Sequence, residues 1–150
     1  MLFAQLVDEV ISGFGNAIQD NNVSIIYNFD EVPGMLTLKS YMHSIFYNLI
    51  SNSIKFRKTD SIPVINIKSC KEDDKIILIF KDNGIGIDME KKGRYLFGLY
   101  KRCHPEHAEG KGMGLFMVKT QVNALGGKIS LTSSVNEGAK FKIEFDQQIF

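Results

Sequence analysis

An apolar run, Ile76-Ile77-Leu78-Ile79-Phe80, leads through Lys81 into Asp82-Asn83-Gly84-Ile85-Gly86-Ile87. The run has the length and branched composition of a buried strand. A strand that runs into Asp-x-Gly-x-Gly carries one carboxylate at its end. The two glycines then allow a sharp turn and a close approach of backbone to a ligand, with room for a flat ring. A carboxylate accepts hydrogen bonds only, so it suits an exocyclic amine such as that of adenine. Asp-Asn-Gly is also ordinary turn chemistry. The stretch therefore specifies a nucleotide site only in company with other parts of one.

The rest of the composition bounds the protein class. The chain has 150 residues, 44% of them hydrophobic and 23% charged, as expected for one globular domain with a single core. The formal net charge of +1 gives no basic surface for nucleic acid and no acidic disordered tail. The apolar runs are too short to span a membrane, and the first residues, Met1-Leu2-Phe3-Ala4, lack the layout of a signal peptide. Two cysteines, Cys70 and Cys103, are too few for a disulfide framework and suit a reducing cytoplasm. The chain reads as an excised module, residues 1–150, without repeats or linkers.

Hydrophobic spacing predicts the elements in order. Leu6, Val10, Ile11, Phe14 and Ile18 predict a helix from Leu2 to Gln19. Val23 to Phe29 alternates as a strand, Pro33-Gly34 is a turn, and Met35 to Leu38 reads as a short strand. The next helix, capped by Thr37 or Ser40, runs to about Arg57 on a stripe of Met42, Ile45, Phe46, Leu49 and Ile50. Val64 to Ser69 and Lys75 to Phe80 are strands joined by the hairpin Lys71-Glu72-Asp73-Asp74. A helix with Leu115, Val118, Val122 and Leu125 stops at Gly126-Gly127. Lys128 to Ser133 and Ala139 to Phe145 close the chain as a hairpin around Glu137-Gly138. This order gives an α/β (α+β) fold, a two-layer sandwich of helices on a sheet.

Three stretches carry further chemistry. Asn48, Asn52 and Lys55 lie at i, i+4 and i+7, on one helical face. Two amide oxygens and an ammonium there suit a metal ion bridged to phosphates, although a solvated polar face is the plainer reading of these residues alone. Gly110-Lys111-Gly112-Met113-Gly114 opens a helix, which presents free N–H groups and a positive dipole end to an anion. The alternative is glycine needed only for turns, and Lys111 between two of them favours phosphate. Between these lies a charged loop, about residues 91–111, with an aromatic middle from Tyr95 to Tyr100, which reads as a lid. Its Cys103-His104-Pro105-Glu106-His107 has zinc-binding residue types but no second pair at zinc-finger spacing, and reads as part of that loop.

In this order the motifs resemble the catalytic, ATP-binding domain of sensor histidine kinases. Asn48-Leu49-Ile50-Ser51-Asn52-Ser53-Ile54-Lys55-Phe56 is similar to the N box, and Asp82 to Ile87 to the G1 box. Phe97-Gly98-Leu99-Tyr100-Lys101-Arg102 resembles the F box, and Gly110 to Leu115 the G2 box. Gly126-Gly127-Lys128-Ile129 with Gly138-Ala139-Lys140-Phe141 is similar to the closing motif. The resemblance covers nearly the whole chain. It implies the Bergerat fold of the superfamily that also includes gyrase, mismatch-repair ATPases and a heat-shock chaperone: a mixed sheet with helices on one face. No Walker-type phosphate loop is present.

The same resemblance implies roles. Asp82 would bind the adenine amine, with Gly84 and Gly86 shaping its pocket. Asn48 and Asn52 would face Mg²⁺ and the phosphates of ATP, while Lys55 and Arg102 neutralise charge. Gly110, Gly112 and Gly114 would offer backbone to the triphosphate, with Lys111 beside it. Ile87, Leu115 and Phe141 would line the apolar part, although Phe141 on its own reads as core or pocket. The family often has Ser or Thr where this chain has Ala139, so one hydrogen bond to the adenine water network is missing here.

The implied enzyme is a histidine protein kinase of a two-component system. Its acceptor histidine would lie on a separate dimerisation domain of the parent protein, which in turn serves a response regulator. His43, His104 and His107 are not in an acceptor context. The implied place is the cytoplasm, for a parent protein either free or membrane-anchored. Alternatives on the same fold are a serine kinase of the anti-sigma-factor type, which the Phe97 to Arg102 motif disfavours, and a non-catalytic nucleotide-sensing module.

Overall fold

The computed structural model describes residues 1–92 and 113–146. Helices α1 (Phe3–Ser12) and α2 (Ala17–Asp20) precede strand β1 (Ser24–Asn28). The long helix α3 (Lys39–Lys55) leads to β2 (Val64–Glu72) and β3 (Lys75–Asp82). After α4 (Met89–Lys92), helix α5 (Met113–Ala124) is followed by β4 (Lys128–Ser133) and β5 (Ala139–Asp146). The five strands form one mixed sheet in the order β1-β2-β3-β5-β4. β1 is parallel to β2, and the other neighbouring pairs are antiparallel.

Alternation along the strands decides where the core lies. Ile65, Ile67, Leu78, Phe80, Phe141, Ile143 and Phe145 are buried on one face of the sheet. They meet Phe3, Leu6 and Val10 of α1, Met42, Ile45, Phe46, Leu49 and Ile50 of α3, and Val118 and Val122 of α5 in one cluster. Lys68, Lys81 and Lys140 point the other way and are exposed. The result is the expected two-layer sandwich, helices on one face of a mixed sheet. Phe46 carries the layers together: its ring meets Phe80 edge-on at 4.9 Å and stacks on Phe3 at 6.2 Å. No helix among the described residues is long and apolar enough to cross a membrane.

Turn chemistry fixes the central register. Asp73 and Asp74 both take positive φ, 49° and 62°, as a two-residue hairpin turn of the primed type requires. Glu72 therefore pairs with Lys75, and Asp82 falls opposite Ile65 at the end of β3. The strands run longer than their apolar cores suggest, because the ladder continues through Lys71-Glu72 and Lys81-Asp82.

Four expectations are corrected. The helix expected from Leu2 to Gln19 ends at Ser12, capped by Gly13, and Gly15 turns the chain at φ +60° before α2. The apolar spacing continues across this break because Phe14 stacks on Tyr47 at 4.7 Å and Ile18 still packs on the core. Met35 to Leu38 forms no strand; Gly34 makes a single bridge with Leu2, and only Met35 turns inward. Neither Thr37 nor Ser40 caps α3, whose N-cap is Leu38, with no side-chain cap hydrogen bond. The same helix ends at Lys55 rather than near Arg57, whose guanidinium instead bonds the Ile54 carbonyl at 2.7 Å.

Candidate functional site

Asp82 ends β3 where β5 begins and where the C-terminal end of α3 arrives. Its carboxylate is held by three donors. Oδ1 accepts from the backbone N–H of Gly84 at 2.9 Å and of Ala139 at 3.1 Å. Oδ2 accepts from the hydroxyl of Ser53 at 2.7 Å. An ionised carboxylate has about four acceptor positions, so this arrangement orients Asp82 and leaves capacity for one further donor. Asp82 is half-buried, which lowers competition from water without isolating the group.

The glycines hold the loop against protein rather than standing free. Gly86 has φ +74°, and a Cβ there would run into the Ser134 carbonyl. A Cβ on Gly84 would come within 2.6 Å of the Phe56 carbonyl oxygen at the end of α3. Ile85 donates to that same carbonyl at 2.9 Å and accepts from Asn136 N–H at 2.7 Å. Asn83 fixes the other side, accepting from Val64 N–H at 2.8 Å and donating to the Ile62 carbonyl at 2.9 Å. Ser133 donates to the Gly138 carbonyl and accepts from Ile87 N–H. The loop is thus clamped between α3 and the β4–β5 turn, and glycine is required for the clamp.

Asn48, Asn52 and Lys55 share a face of α3, and all three are half-buried. The Asn48 amide nitrogen donates to the Ser44 carbonyl at 2.8 Å and contacts the Ser44 hydroxyl at 3.3 Å. A carbonyl can only accept, so this bond fixes the amide and turns Oδ1 outward. Oδ1 looks across to the first turn of α5, where it would lie 3.4 Å from a Cβ on Gly114. The structure therefore brings the α3 face and Gly114, in the first turn of α5, together. Among the described residues, Asn48 Oδ1 and the side chains of Asn52 and Lys55 have no hydrogen-bond partner. Uncommitted amide oxygens beside an ammonium fit a hard divalent cation carrying anionic oxygens.

Of the apolar candidates, Ile87 is buried, and Leu115 is half-buried against the core. Phe141 lies in the core at 1% exposure, between Phe80 and Leu131 in the sheet register. Arg102, Gly110, Lys111 and Gly112 lie outside the described residues, as do the Phe97 to Arg102 motif, the Cys103 to His107 stretch and most of the expected lid. Sequence patterning does not single out Ser53, Asn83 or Ser133 as site residues. Ser53 stands next to Asn52 and Asn83 next to Asp82, so adjacency to a candidate is the only local signal. Ser133 becomes significant only through the hairpin that returns Gly138 to it.

A two-layer sandwich with a carboxylate at a strand end, a clamped glycine loop and an amide face opposite Gly114 of α5 has the parts of a nucleotide site. The profile of the histidine kinase-, DNA gyrase B-, and HSP90-like ATPases matches residues 38–149, and the chain belongs to that family. Cyanobacterial phytochrome A of Nostoc sp. (strain PCC 7120) is 31% identical over 136 residues, which is 90% of this chain and 17% of that protein. The catalytic domain of histidine kinase ThkA, in a nucleotide-free form, has a TM-score of 0.81 at 20% identity, covering 99% of this chain and 97% of that one. Full-length ShkA in complex with AMPPNP has a TM-score of 0.77 at 20% identity, covering 93% of this chain and 29% of that one. The chain thus spans about a sixth of the phytochrome's length.

Proposed function

We propose that this chain is the catalytic domain of a sensor histidine kinase, binding Mg·ATP and presenting its γ-phosphate to a histidine on a dimerisation domain of the same parent protein. The observation that carries the reading is the Asp82 carboxylate, oriented by three donors at the end of the central strand β3, one of them Ser53 of the helix that carries the free amide face. Family membership supports ATP as the nucleotide, and the AMPPNP complex of ShkA supports a triphosphate ligand on this fold.

The roles follow from the chemistry of each group. Asp82 accepts a hydrogen bond from the exocyclic amine of adenine. Asn48 and Asn52 offer oxygen to Mg²⁺, which supplies charge neutralisation of the phosphates when bound. Lys55 adds a cation on the same helical face. Gly114, at the start of α5, keeps that helix terminus open opposite Asn48. The resemblance adds Arg102, Gly110, Lys111 and Gly112 to the phosphate side. Nothing in this set reacts covalently, so the contribution to phosphoryl transfer is positioning and electrostatics. The acceptor imidazole comes from the dimerisation domain, and a response regulator takes the phosphoryl group from it. We place the domain in the cytoplasm, where ATP is available.

Calorimetric titration with ADP and Mg²⁺ tests the binding half. Failure to detect affinity in the millimolar range overturns it. Radiolabelled ATP tests the transfer half. Acid-labile label on a separately supplied dimerisation domain of the parent supports the kinase reading. The transfer will be slow, because cutting the tether removes effective concentration. Acid-stable label on the isolated chain would point to the serine-kinase alternative.

A further inference from the structure

The hydroxyl of Ser53 has one proton, and Asp82 takes it. Ser53 is 8% exposed, lies next to Asn52 on α3, and donates to Asp82 Oδ2 at 2.7 Å. Asp82 Oδ1 is already engaged by two backbone N–H groups. We propose that Ser53 is a positioning residue that sets purine specificity at Asp82, favouring a 6-amino over a 6-oxo purine. The proposal rests on the nucleotide-binding reading above and deepens it.

The argument is one of donor and acceptor count. With its proton committed, the Ser53 oxygen offers only lone pairs, and so does Oδ2. The two atoms form an edge that accepts and cannot donate. A 6-amino group supplies the missing protons. A 6-oxo group brings a third acceptor to this edge, finds no proton there and leaves the remaining lone pairs of Ser53 and Oδ2 unpaired. Ser53 also fixes the carboxylate, because Oδ1 and Oδ2 are held from opposite elements, β5 and the G1 loop on one side and α3 on the other.

Removing the hydroxyl changes this edge in a specific way. In Ser53→Ala a water can occupy the vacated space. Water has two protons, so it can satisfy Oδ2 and still turn a hydrogen towards a 6-oxo group. Discrimination should therefore fall more than affinity for the amino purine. A residue that merely packed would weaken both nucleotides equally.

The test is the ratio of dissociation constants for IDP and ADP, with Mg²⁺, in wild type, Ser53→Ala and Ser53→Cys. The cysteine fills the site with a weak donor and weak acceptor, so its sulfur opposes a 6-oxo group less than the hydroxyl does, and it serves if the alanine variant folds poorly. The expected result is a wild-type preference for ADP, narrowed about fivefold or more in both variants, the change that one neutral hydrogen bond of about 1 kcal/mol produces. A ratio unchanged in either folded variant, while wild type binds ADP, overturns the role of Ser53 and leaves the function standing. Wild type that binds neither nucleotide overturns the function itself.

Discussion

Gly138 lies directly against the main chain of Asp82. A Cβ on Gly138 would fall on the Asp82 carbonyl oxygen and within 3.0 Å of Asn83 Cα, and the residue has φ +80°. The turn that returns β5 to the sheet is thus built onto the end of β3, and it delivers the Ala139 N–H to the Asp82 carboxylate. Gly126 offers an internal control, with φ +78° but nothing within 4 Å of a Cβ. Gly126→Ala should cost about 1–2 kcal/mol from backbone strain alone. Gly138→Ala should cost about 3 kcal/mol or more, because the same strain is joined by a backbone clash. Urea denaturation of both variants measures the difference, and equal midpoints would show that the close contact is not maintained in solution.

Asp82→Asn tests the carboxylate itself. Asparagine keeps the size but gives one of the two positions to an amide NH₂, which faces donors already present from Ser53, Gly84 or Ala139. Loss of a charge-assisted hydrogen bond to the adenine amine should weaken ADP by about 1.5–3 kcal/mol, roughly ten- to a hundredfold. Preference over GDP should also shrink, because guanine has no amine at that ring position. Calorimetry with both nucleotides reads each effect.

These residues also show what a linear pattern carries. A hairpin within Lys71 to Asp74, the end of β3 at Asp82 and the shared face of Asn48, Asn52 and Lys55 follow from local periodicity and turn chemistry, so they were legible, whereas the narrowing of the turn to Asp73-Asp74 was not. The Ser53 bond to Asp82 spans 29 positions, and a small hydroxyl between Asn52 and Ile54 has no signature of its own. The Ala139 contribution comes from a backbone N–H, which any residue but proline provides. The placement of β5 between β3 and β4 is likewise non-local. The break after α1 was hidden because Phe14 and Ile18 find apolar partners despite leaving the helix. Gly84 and Gly86 were legible as required glycines. Their surroundings, the Phe56 and Ser134 carbonyls, were not.

Cys70 lies on β2, and burial pushes its thiol above the ordinary value of 9.0, with Glu31 and Glu72 adding to the effect against Lys68 and Lys142. The thiolate is the reactive form, so a raised value means slow alkylation near neutral pH. In a Cys103→Ser background, which leaves one thiol, iodoacetamide should label folded protein more slowly than urea-unfolded protein at pH 8. The gap should close as pH rises past the folded-state value. Equal rates at pH 8 would contradict the burial of this thiol.

Asn48 separates metal binding from base binding. Its amide nitrogen is tied to the Ser44 carbonyl, and its oxygen is turned towards the start of α5 at Gly114. If that oxygen serves Mg²⁺ directly or through a water, Asn48→Ala should weaken ADP about tenfold or more when magnesium is present. Without magnesium the same variant should bind ADP nearly as wild type does, because adenine is held at Asp82, on β3 rather than on this helix. Asn48→Asp adds a second contrast. It keeps oxygen for the cation but loses the donor to Ser44, so it should retain magnesium dependence while losing some helix stability, about 1 kcal/mol for one neutral hydrogen bond. Titrations with and without magnesium, together with thermal melts of both variants, distinguish these terms. Equal weakening of Asn48→Ala under both conditions would assign Asn48 to the nucleotide itself and remove it from the metal face of α3.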